Sequence, residues 1–170
     1  MTKRTLIAEF LKQAEAGGNH TIAGWVRSTR ASGDVAFIVL NDGSNLSGIQ
    51  LVLERAELSE FDRFSKLGTG TALRATGQLV ASPAAGQQFE LRVTELTVVG
   101  ESNPDYPLQK KRHSFEYLRS IAHLRPRSNT FGAVFRLRSM LAQAIHQFFA
   151  ERNFLYVHTQ IGRASCRERV

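Results

Sequence analysis

Cysteine is nearly absent from the 170-residue chain, in which Cys166 is the single example. One thiol excludes an intramolecular disulfide and any metal site built from several cysteines. Long apolar runs are absent too, and none approaches the roughly 18 residues that a membrane-spanning helix needs. The N-terminus lacks the apolar core and the cleavage site of a secretory signal. These absences predict a soluble, cytoplasmic protein with no membrane partner.

Recognisable catalytic and metal-binding motifs are also missing. The sequence contains no P-loop and no G-x-S-x-G nucleophile motif. The histidines lack the paired spacing that metal ligands show, and those considered are His113, His123, His146 and His158. We therefore predict no catalytic residue, no metal and no bound cofactor in these 170 residues.

Positive charge is concentrated in the second half of the chain. The formal net charge is +7, but residues 1–100 carry 10 basic and 10 acidic residues. Residues 101–160 carry 9 basic and 4 acidic residues, and residues 161–170 carry 3 and 1. A basic excess can attract a polyanion, although most exposed Lys and Arg side chains are only solvated surface. Charge alone therefore does not decide between nucleic-acid binding and an ordinary surface.

The last ten residues, IGRASCRERV, have no apolar periodicity. They match the translation of a common sequencing-library adapter, and Gln160 would then be a hybrid codon. Our hypothesis is that the native chain ends at Thr159 and that residues 160–170 are not native; the alternative is a genuine basic tail. Such segments are left out of fold reasoning. Resequencing the gene across codon 160 would decide, since an uninterrupted genomic reading frame for these residues would exclude the adapter.

Short apolar and alternating runs dominate the first hundred residues after a helix predicted over 4–13. They predict three strands, a helix over 56–67 and two further strands, separated by turns rich in Gly, Asn, Asp and Ser. The predicted strands are 21–30, 35–40, 48–53, 71–80 and 88–99. Three strands, a helix and two strands is the order of the OB-fold, a five-stranded barrel that often binds oligonucleotides, although other small barrels share it.

Residues beyond 100 follow a different pattern. Two prolines and the run Lys110-Lys111-Arg112 predict a linker over 101–112, and 113–127 mixes a short helical pattern with a basic end. Apolar residues at steps of three and four predict one amphipathic helix over 129–152, and a strand is predicted to start at 154–158.

An OB barrel that binds single strands needs basic groups, a stacking aromatic and hydrogen-bonding groups on one face. Arg27 and Arg30 end the first predicted strand, while Phe37, Gln50 and Glu90 lie in the second, third and fifth. Each has an ordinary alternative: Phe37 as a core residue, Gln50 and Glu90 as exposed strand residues. Trp25 fits the core better than a stacking role.

Three segments of the chain resemble asparaginyl-tRNA synthetases, bacterial members above all. They are GWVRSTRASGDVAFIVLNDGS, VASPAAGQQFELRVTELTVVG and the block from Tyr106 to Thr159, which contains HSFEYLRSIAHLRPR. Related aspartyl and lysyl enzymes share the GWV strand, but their equivalent of the HSFEYL–HLRPR block differs. The resemblance identifies an N-terminal fragment of a class II aminoacyl-tRNA synthetase.

That resemblance implies a β-barrel plus α fold. A five-stranded OB-fold would be followed by a hinge and by the first long helix, called motif 1, of a truncated α+β catalytic domain. The predicted domains are an N-terminal helix and turn over 1–20, the anticodon-binding barrel over 21–100, the hinge over 101–128, the start of the catalytic domain over 129–159 and the non-native 160–170.

The resemblance also implies a function. The whole enzyme would use ATP and Mg²⁺ to form asparaginyl-adenylate and then transfer asparagine to tRNA(Asn). The barrel would hold the anticodon arm, with Phe37 stacking on a base and Arg30, Gln50 and Glu90 contacting base edges or the backbone nearby. Motifs 2 and 3, which carry the ATP-binding arginines, do not occur in these residues, so the fragment is predicted to be inactive and to bind no cofactor.

Motif 1 builds the homodimer interface in class II enzymes, which the resemblance transfers to the helix over 129–152. The candidate interface residues are Phe135, Leu137, Leu141, Ile145 and Phe148. Packing within one subunit would account for the same apolar face. Motif 1 normally ends in a proline where this chain has Gln160, a departure that agrees with the adapter hypothesis. A free-standing OB-fold nucleic-acid-binding protein, or a fragment of an aspartyl or lysyl enzyme, remains the alternative.

Overall fold

The computed structural model describes residues 5–12, 17–83 and 86–158. A 3₁₀ turn at Arg125–Arg127 precedes the last helix. The helices and strands, numbered in chain order, are α1 (Ile7–Phe10), β1 (Asn19–Ser32), β2 (Val35–Asn41), β3 (Ile49–Glu54), α2 (Phe61–Phe64), β4 (Ala72–Ala81), β5 (Phe89–Gly100), α3 (Phe115–Ser120) and α4 (Asn129–Ala150).

Five strands close into a barrel in the order β1-β2-β3-β5-β4, and β4 pairs with β1 to complete it. Every neighbouring pair is antiparallel except β3 and β5, which run parallel. The parallel register places Gln50 opposite Glu90 and Leu51 opposite Leu91. This closed five-stranded arrangement, with α2 between β3 and β4, is the predicted OB-fold.

The barrel interior is filled by alternate residues of its strands. In β2, Ala36, Ile38 and Leu40 are fully buried, whereas Phe37 and Val39 between them are only half-buried. Successive side chains of a strand point to opposite faces, so the alternation separates an inner apolar face from an outer face. The outer face of β2 is therefore available for other contacts.

Gly77 allows β4 and β5 to approach closely at a register shift between Thr76 and Gly77. A Cβ atom at this position would collide with the backbone carbonyl of Arg92 on β5. Glycine within a strand often marks such a close approach of backbones. The residue therefore contributes to barrel closure rather than to chain flexibility.

Helix α1 covers the barrel and is held by a loop that follows β2. Ile7 and Phe10 are fully buried and belong to the barrel core. The Ile7 amide donates to Asp42 Oδ2 at 2.9 Å, and the Ala8 amide donates to Ser44 Oγ at 2.9 Å. The helix is shorter than the predicted 4–13 because the chain turns at residues 11–12. Residues 4 and 13, the two ends of that prediction, lie outside the described residues.

Replacing Asp42 with alanine is expected to lower the free energy of unfolding by about 1.5–3 kcal/mol, the usual range for hydrogen bonds to a charged group. Partial burial raises the pKa of the Asp42 carboxyl, but hydrogen bonds from Ser44 and from the Ile7 amide outweigh it and hold that pKa below its usual value. The stabilisation is therefore complete above the unfolded-state pKa of about 3.9 and is lost as the pH falls through the lower pKa of the folded state.

Urea unfolding at pH 7 and at pH 3 measures this effect. The stability difference between wild type and Asp42→Ala should shrink at the lower pH. Asp34→Ala is the matched control, because that carboxylate is largely exposed and pairs with the exposed Arg55, and exposed ion pairs contribute little to stability. A difference that is the same at both pH values, or that Asp34→Ala reproduces, would contradict the role assigned to Asp42.

The predicted helix over 56–67 was too long, since only Phe61–Phe64 is helical. Its apolar spacing nevertheless identified buried residues, because Leu58, Phe61, Phe64 and Leu67 all belong to the barrel core. Residues 55–57 and 59–60 form turns instead. Apolar residues three apart can be buried by consecutive turns as well as by a helix, so spacing alone overestimated its length.

The chain divides into two units, Met1–Gly132 and Ala133–Val170. Within the first, the segment over 113–127 contains α3 and the 3₁₀ turn, and α3 is the short helix that the sequence pattern predicted there. Pro126 lies at the start of that turn, where its missing N–H costs no helical hydrogen bond. The domain boundaries at residues 20, 100 and 128 remain predictions.

The second unit contains most of α4, which ends close to where the sequence predicted. Asn153 adopts a left-handed conformation, with φ of 60°, and the Phe154 amide donates to the Phe149 carbonyl at 3.1 Å. This is a common way to end a helix. The strand predicted to start at 154–158 is not formed, because these residues pair with no strand in the described part of this unit. Residues 159–170, including the proposed adapter segment, lie outside the described residues.

Candidate nucleic-acid interface

Four predicted site residues meet on the outer face of the barrel. Arg30 on β1 lies opposite Phe37 on β2 in the antiparallel register. Gln50 on β3 lies opposite Glu90 on β5 in the parallel register. Their side chains are linked in the order Phe37, Arg30, Gln50, Glu90, and we call these four residues the outer-face cluster.

Phe37 provides the aromatic surface of the cluster. Its neighbours Ala36 and Ile38 are fully buried, whereas the Phe37 side chain is half-buried on the opposite face of β2. The alternative that Phe37 is a core residue is therefore wrong. The Arg30 guanidinium carbon lies 4.8 Å from the centroid of the Phe37 ring, within the range of a cation–π contact.

Polar contacts continue the cluster away from the ring. Arg30 Nη2 donates to Gln50 Oε1 at 3.4 Å, a long hydrogen bond from an exposed guanidinium to a half-buried amide. Gln50 Nε2 donates to Glu90 Oε2 at 3.2 Å. Arg30, Gln50 and Glu90 thus place a cation, an amide and a carboxylate in a row beside an aromatic ring. This set of donors and acceptors suits a base edge and a phosphate.

Glu90 is the most buried member of the cluster, with 8% of its surface exposed. Besides Gln50, Ser82 Oγ donates to Glu90 Oε2 at 3.2 Å and Gln87 Nε2 donates to the same oxygen at 3.3 Å. A buried carboxylate needs such partners, because burial without hydrogen bonds is costly. The alternative that Gln50 and Glu90 are ordinary exposed strand residues is therefore wrong, because Glu90 is buried and Gln50 is half-buried.

Sequence reasoning missed Ser82 and Gln87. Both lie in the connection between β4 and β5, and Gln87 also donates to Ser82 Oγ at 2.9 Å. The available signal was their position at the two ends of a Pro- and Gly-containing turn that leads directly into Phe89-Glu90. Turn composition predicts a change of direction but not which side chains it brings onto a carboxylate.

Arg27, in contrast, is not part of the outer-face cluster. It is the extra residue in β1 at a register shift between Val26 and Ser28, and such a bulge redirects a side chain. Its guanidinium donates to the Arg127 carbonyl and to Asn129 Oδ1, both at 2.9 Å. Burial lowers the pKa of this guanidinium, and the nearby Tyr106 opposes that effect.

Trp25 is half-buried and lies outside the barrel core, which corrects the core interpretation. The Arg127 guanidinium carbon lies 4.5 Å from its ring centroid, and Arg127 Nη1 donates to Tyr106 Oη at 3.0 Å. A cavity of about 1090 Å³ adjoins these groups and is also lined by the basic run at 110–112. Trp25 is therefore covered by an arginine of the same chain.

The described residues 5–12, 17–83 and 86–158 contain no group of three or more His, Cys, Asp or Glu side chains that could hold a metal ion. In the same ranges, no helix is long and apolar enough to cross a membrane.

Known proteins share both the sequence pattern and the fold of this chain. Residues 20–99 match a family described as the OB-fold nucleic acid binding domain of the tRNA anticodon type. The chain is 64% identical over 162 residues to the asparagine–tRNA ligase of Pelobacter propionicus and 55% identical over 161 residues to that of Geobacter sulfurreducens. Along almost its whole length, this chain matches the N-terminal part of asparagine–tRNA ligases. In both comparisons the match covers 95% of the chain but 35% of the relative, so the chain spans about a third of their length.

Solved synthetase structures share the fold. Asparaginyl-tRNA synthetase from Pyrococcus horikoshii, solved with asparaginyl-adenylate, matches 95% of this chain and 37% of its own with a TM-score of 0.83 at 22% identity. The enzyme from Entamoeba histolytica matches 95% and 38% with a TM-score of 0.77 at 25% identity. An aspartyl enzyme from the same organism has a TM-score of 0.77, so the sequence relatives, rather than the fold, favour the asparaginyl family.

Proposed function

We propose that the barrel binds the anticodon arm of tRNA(Asn) through the outer-face cluster. The observation that carries this proposal is the convergence of Arg30, Phe37, Gln50 and Glu90 on one face of a barrel from the nucleic-acid-binding OB-fold family. In the sequence these residues are up to 60 positions apart, yet each side chain contacts the next. An aromatic ring flanked by a cation and by hydrogen-bonding groups suits an unstacked base.

Each residue then has a distinct role. The Phe37 ring stacks on an anticodon base, because every base has a π-face. Arg30 lies beside the ring and contributes a cation to the backbone phosphate or to a base edge. Gln50 and Glu90 hydrogen-bond to base edges, and an incorrect base leaves those groups unpaired, which provides selectivity.

The whole ligase to which this chain corresponds would activate asparagine with ATP and Mg²⁺ and transfer it to tRNA(Asn) in the cytoplasm. Support comes from the relatives, which are named asparagine–tRNA ligases at 51–64% identity. Within these 170 residues the contribution is anticodon binding, which holds the tRNA while chemistry takes place elsewhere on the enzyme.

Homodimerisation of the whole enzyme would use the apolar side of α4. Leu137, Leu141, Ile145 and Phe148 are each about half exposed or more. Phe135 is less exposed and already has a contact within the chain, so its part in the interface would be smaller. An apolar stripe of this size on a helix is commonly covered by another surface.

Fluorescence anisotropy at fixed ionic strength tests the proposal directly. The 170-residue chain is expected to bind a tRNA(Asn) anticodon stem–loop more tightly than stem–loops with one altered anticodon base. A base read by paired hydrogen bonds is worth about 1–3 kcal/mol of discrimination, and salt must be held constant because phosphate contacts depend on it. Equal affinity for every loop would contradict anticodon reading.

The same chain is expected to form no asparaginyl-adenylate. It matches about a third of each relative, and no ATP-binding motif was found in its sequence. Asparagine-dependent ATP–pyrophosphate exchange measures this, with the full-length Pelobacter propionicus relative as the positive control. Exchange above background by the purified 170-residue chain would overturn the assignment of its function to anticodon binding alone.

A further inference from the structure

We propose that Ser82 and Gln87 are positioning residues that hold the Glu90 carboxylate in the orientation needed to discriminate one anticodon base. This inference rests on the proposed function and extends it to a part of the barrel that the outer-face cluster does not include. Both residues belong to the connection between β4 and β5, and we call the two together the Glu90 clamp.

Three donors converge on one oxygen of the Glu90 carboxylate. Gln50 Nε2, Ser82 Oγ and Gln87 Nε2 lie 3.2, 3.2 and 3.3 Å from Glu90 Oε2. A carboxylate otherwise rotates broadly about its terminal torsion, and three donors on one oxygen restrict that rotation. Oε1 is then the oxygen that presents its lone pairs to a base edge.

The clamp is itself held in place. Gln87 Nε2 donates to Ser82 Oγ at 2.9 Å, so the two clamp residues are bonded to each other as well as to Glu90. The Ser82 amide donates to the Gln88 carbonyl at 3.0 Å, which ties the two ends of the connection together. Side chains that orient a recognition group in this way are what a precise binding site requires.

Burial strengthens the argument. Glu90 has 8% of its surface exposed, whereas Gln50 is half-buried and Arg30 is exposed. Hydrogen bonds inside a protein are stronger electrostatically than in water, so the neutral donors of the clamp determine the geometry of this carboxylate more than solvent does. Arg30 is held less firmly, by a hydrogen bond to Gln50 that is 3.4 Å long and by its cation–π contact with Phe37.

Ser82→Ala and Gln87→Ala test the clamp through base discrimination rather than through affinity alone. For each variant, the Kd is measured for the tRNA(Asn) anticodon stem–loop and for the three loops with one altered base. Discrimination at a single anticodon position is expected to fall about three- to tenfold per variant, the loss of one or two hydrogen bonds. Ser82→Thr keeps the hydroxyl and is expected to retain discrimination.

Two further comparisons separate positioning from structure. Gln88→Ala removes a neighbouring exposed amide and should leave discrimination unchanged. In a Glu90→Gln background, Gln87→Ala should cause no additional loss at that anticodon position, because a residue that acts through Glu90 has nothing left to position. Thermal unfolding of each variant shows that the barrel remains folded.

The outcomes distinguish this proposal from the function on which it rests. If the wild type shows no preference among the loops, the proposed function fails and the clamp fails with it. If the wild type discriminates and Glu90→Gln impairs this, but Ser82→Ala and Gln87→Ala do not, the clamp alone is wrong. The clamp proposal would also be overturned if Ser82→Ala or Gln87→Ala weakened binding of every loop equally. It would likewise be overturned if the losses of discrimination from Gln87→Ala and Glu90→Gln added up in the double variant. The clamp proposal is supported if Ser82→Ala and Gln87→Ala reduce discrimination at one anticodon position and Gln87→Ala causes no further reduction in the Glu90→Gln background.

Discussion

Replacing Phe37 with alanine is expected to weaken binding of the tRNA(Asn) anticodon stem–loop by about 1–3 kcal/mol, the range measured for losing one base–aromatic stack. The ring lies on the outer face of β2, opposite Arg30, while the barrel core is built from the alternate residues of that strand. Stability should therefore fall far less than the roughly 3–5 kcal/mol that removal of a buried phenylalanine costs. Fluorescence anisotropy measures the binding, and urea unfolding measures the stability.

Phe154→Ala provides the matched control for Phe37→Ala. It removes the same side chain from an exposed position outside the barrel, and we expect it to leave RNA affinity unchanged. The account is contradicted if a folded Phe37→Ala variant binds as tightly as the wild type. It is also contradicted if this variant loses stability on the scale of a core substitution, since that would place Phe37 in the core.

Leu51→Ala is expected to lower the free energy of unfolding by about 2–5 kcal/mol, the range for removing a buried leucine side chain. Leu51 is fully buried and lies opposite Ile38 on β2 and Leu91 on β5, so it joins both neighbours of β3 within the core. A cavity at this position removes packing from the antiparallel and the parallel pair together. Urea unfolding followed by circular dichroism measures the change.

Val99→Ala is the control for Leu51→Ala, because Val99 lies near the end of β5 with 64% of its surface exposed. Exposed substitutions usually change stability by less than about 0.5 kcal/mol. Under conditions where Leu51→Ala remains folded, its preference among the anticodon loops should equal that of the wild type. Equal stability losses in the two variants, or a changed base preference in folded Leu51→Ala, would contradict the separation of core and outer face.

Strand patterns in the sequence predicted the barrel well because alternation reports directly on burial. The run from Val35 to Leu40 became β2, with alternate side chains filling the core. Helical patterns were less reliable: the spacing of Leu58, Phe61, Phe64 and Leu67 identified core residues but overestimated α2. The strand predicted after α4 is not formed, because a strand needs a partner and the described residues of that unit provide none.

The sequence indicated which residues form the candidate site but not which of their side chains contact one another. Strand position and residue type indicated Arg30, Phe37, Gln50 and Glu90, and family resemblance supplied their roles, whereas no sequence spacing shows that Gln50 faces Glu90. That contact depends on the parallel pairing of β3 with β5, which exists only when the barrel closes. Ser82 and Gln87 were missed because a turn brings them to Glu90, and composition does not determine side-chain direction in a turn.

The distribution of charge along the sequence did not predict where the candidate site lies. The first hundred residues contain equal numbers of basic and acidic side chains, and the excess lies beyond them. Under the proposed function, the cluster has a single arginine among neutral and acidic groups, so its selectivity would come from shape and hydrogen bonding rather than from strong attraction. Long-range attraction of the tRNA would therefore come from the basic residues after 100, such as the run at 110–112.

The measurement that tests the account most directly is an NMR titration of the isotope-labelled 170-residue chain with the tRNA(Asn) anticodon stem–loop. We predict that the largest chemical-shift changes fall on Arg30, Phe37, Gln50 and Glu90, together with the side-chain amide of Gln87. Residues on another part of the barrel surface, such as Arg55 and Arg63, should change little. Binding with the largest changes at Arg55 and Arg63, and none at Phe37 or Glu90, would contradict the assignment of the anticodon site to the outer-face cluster.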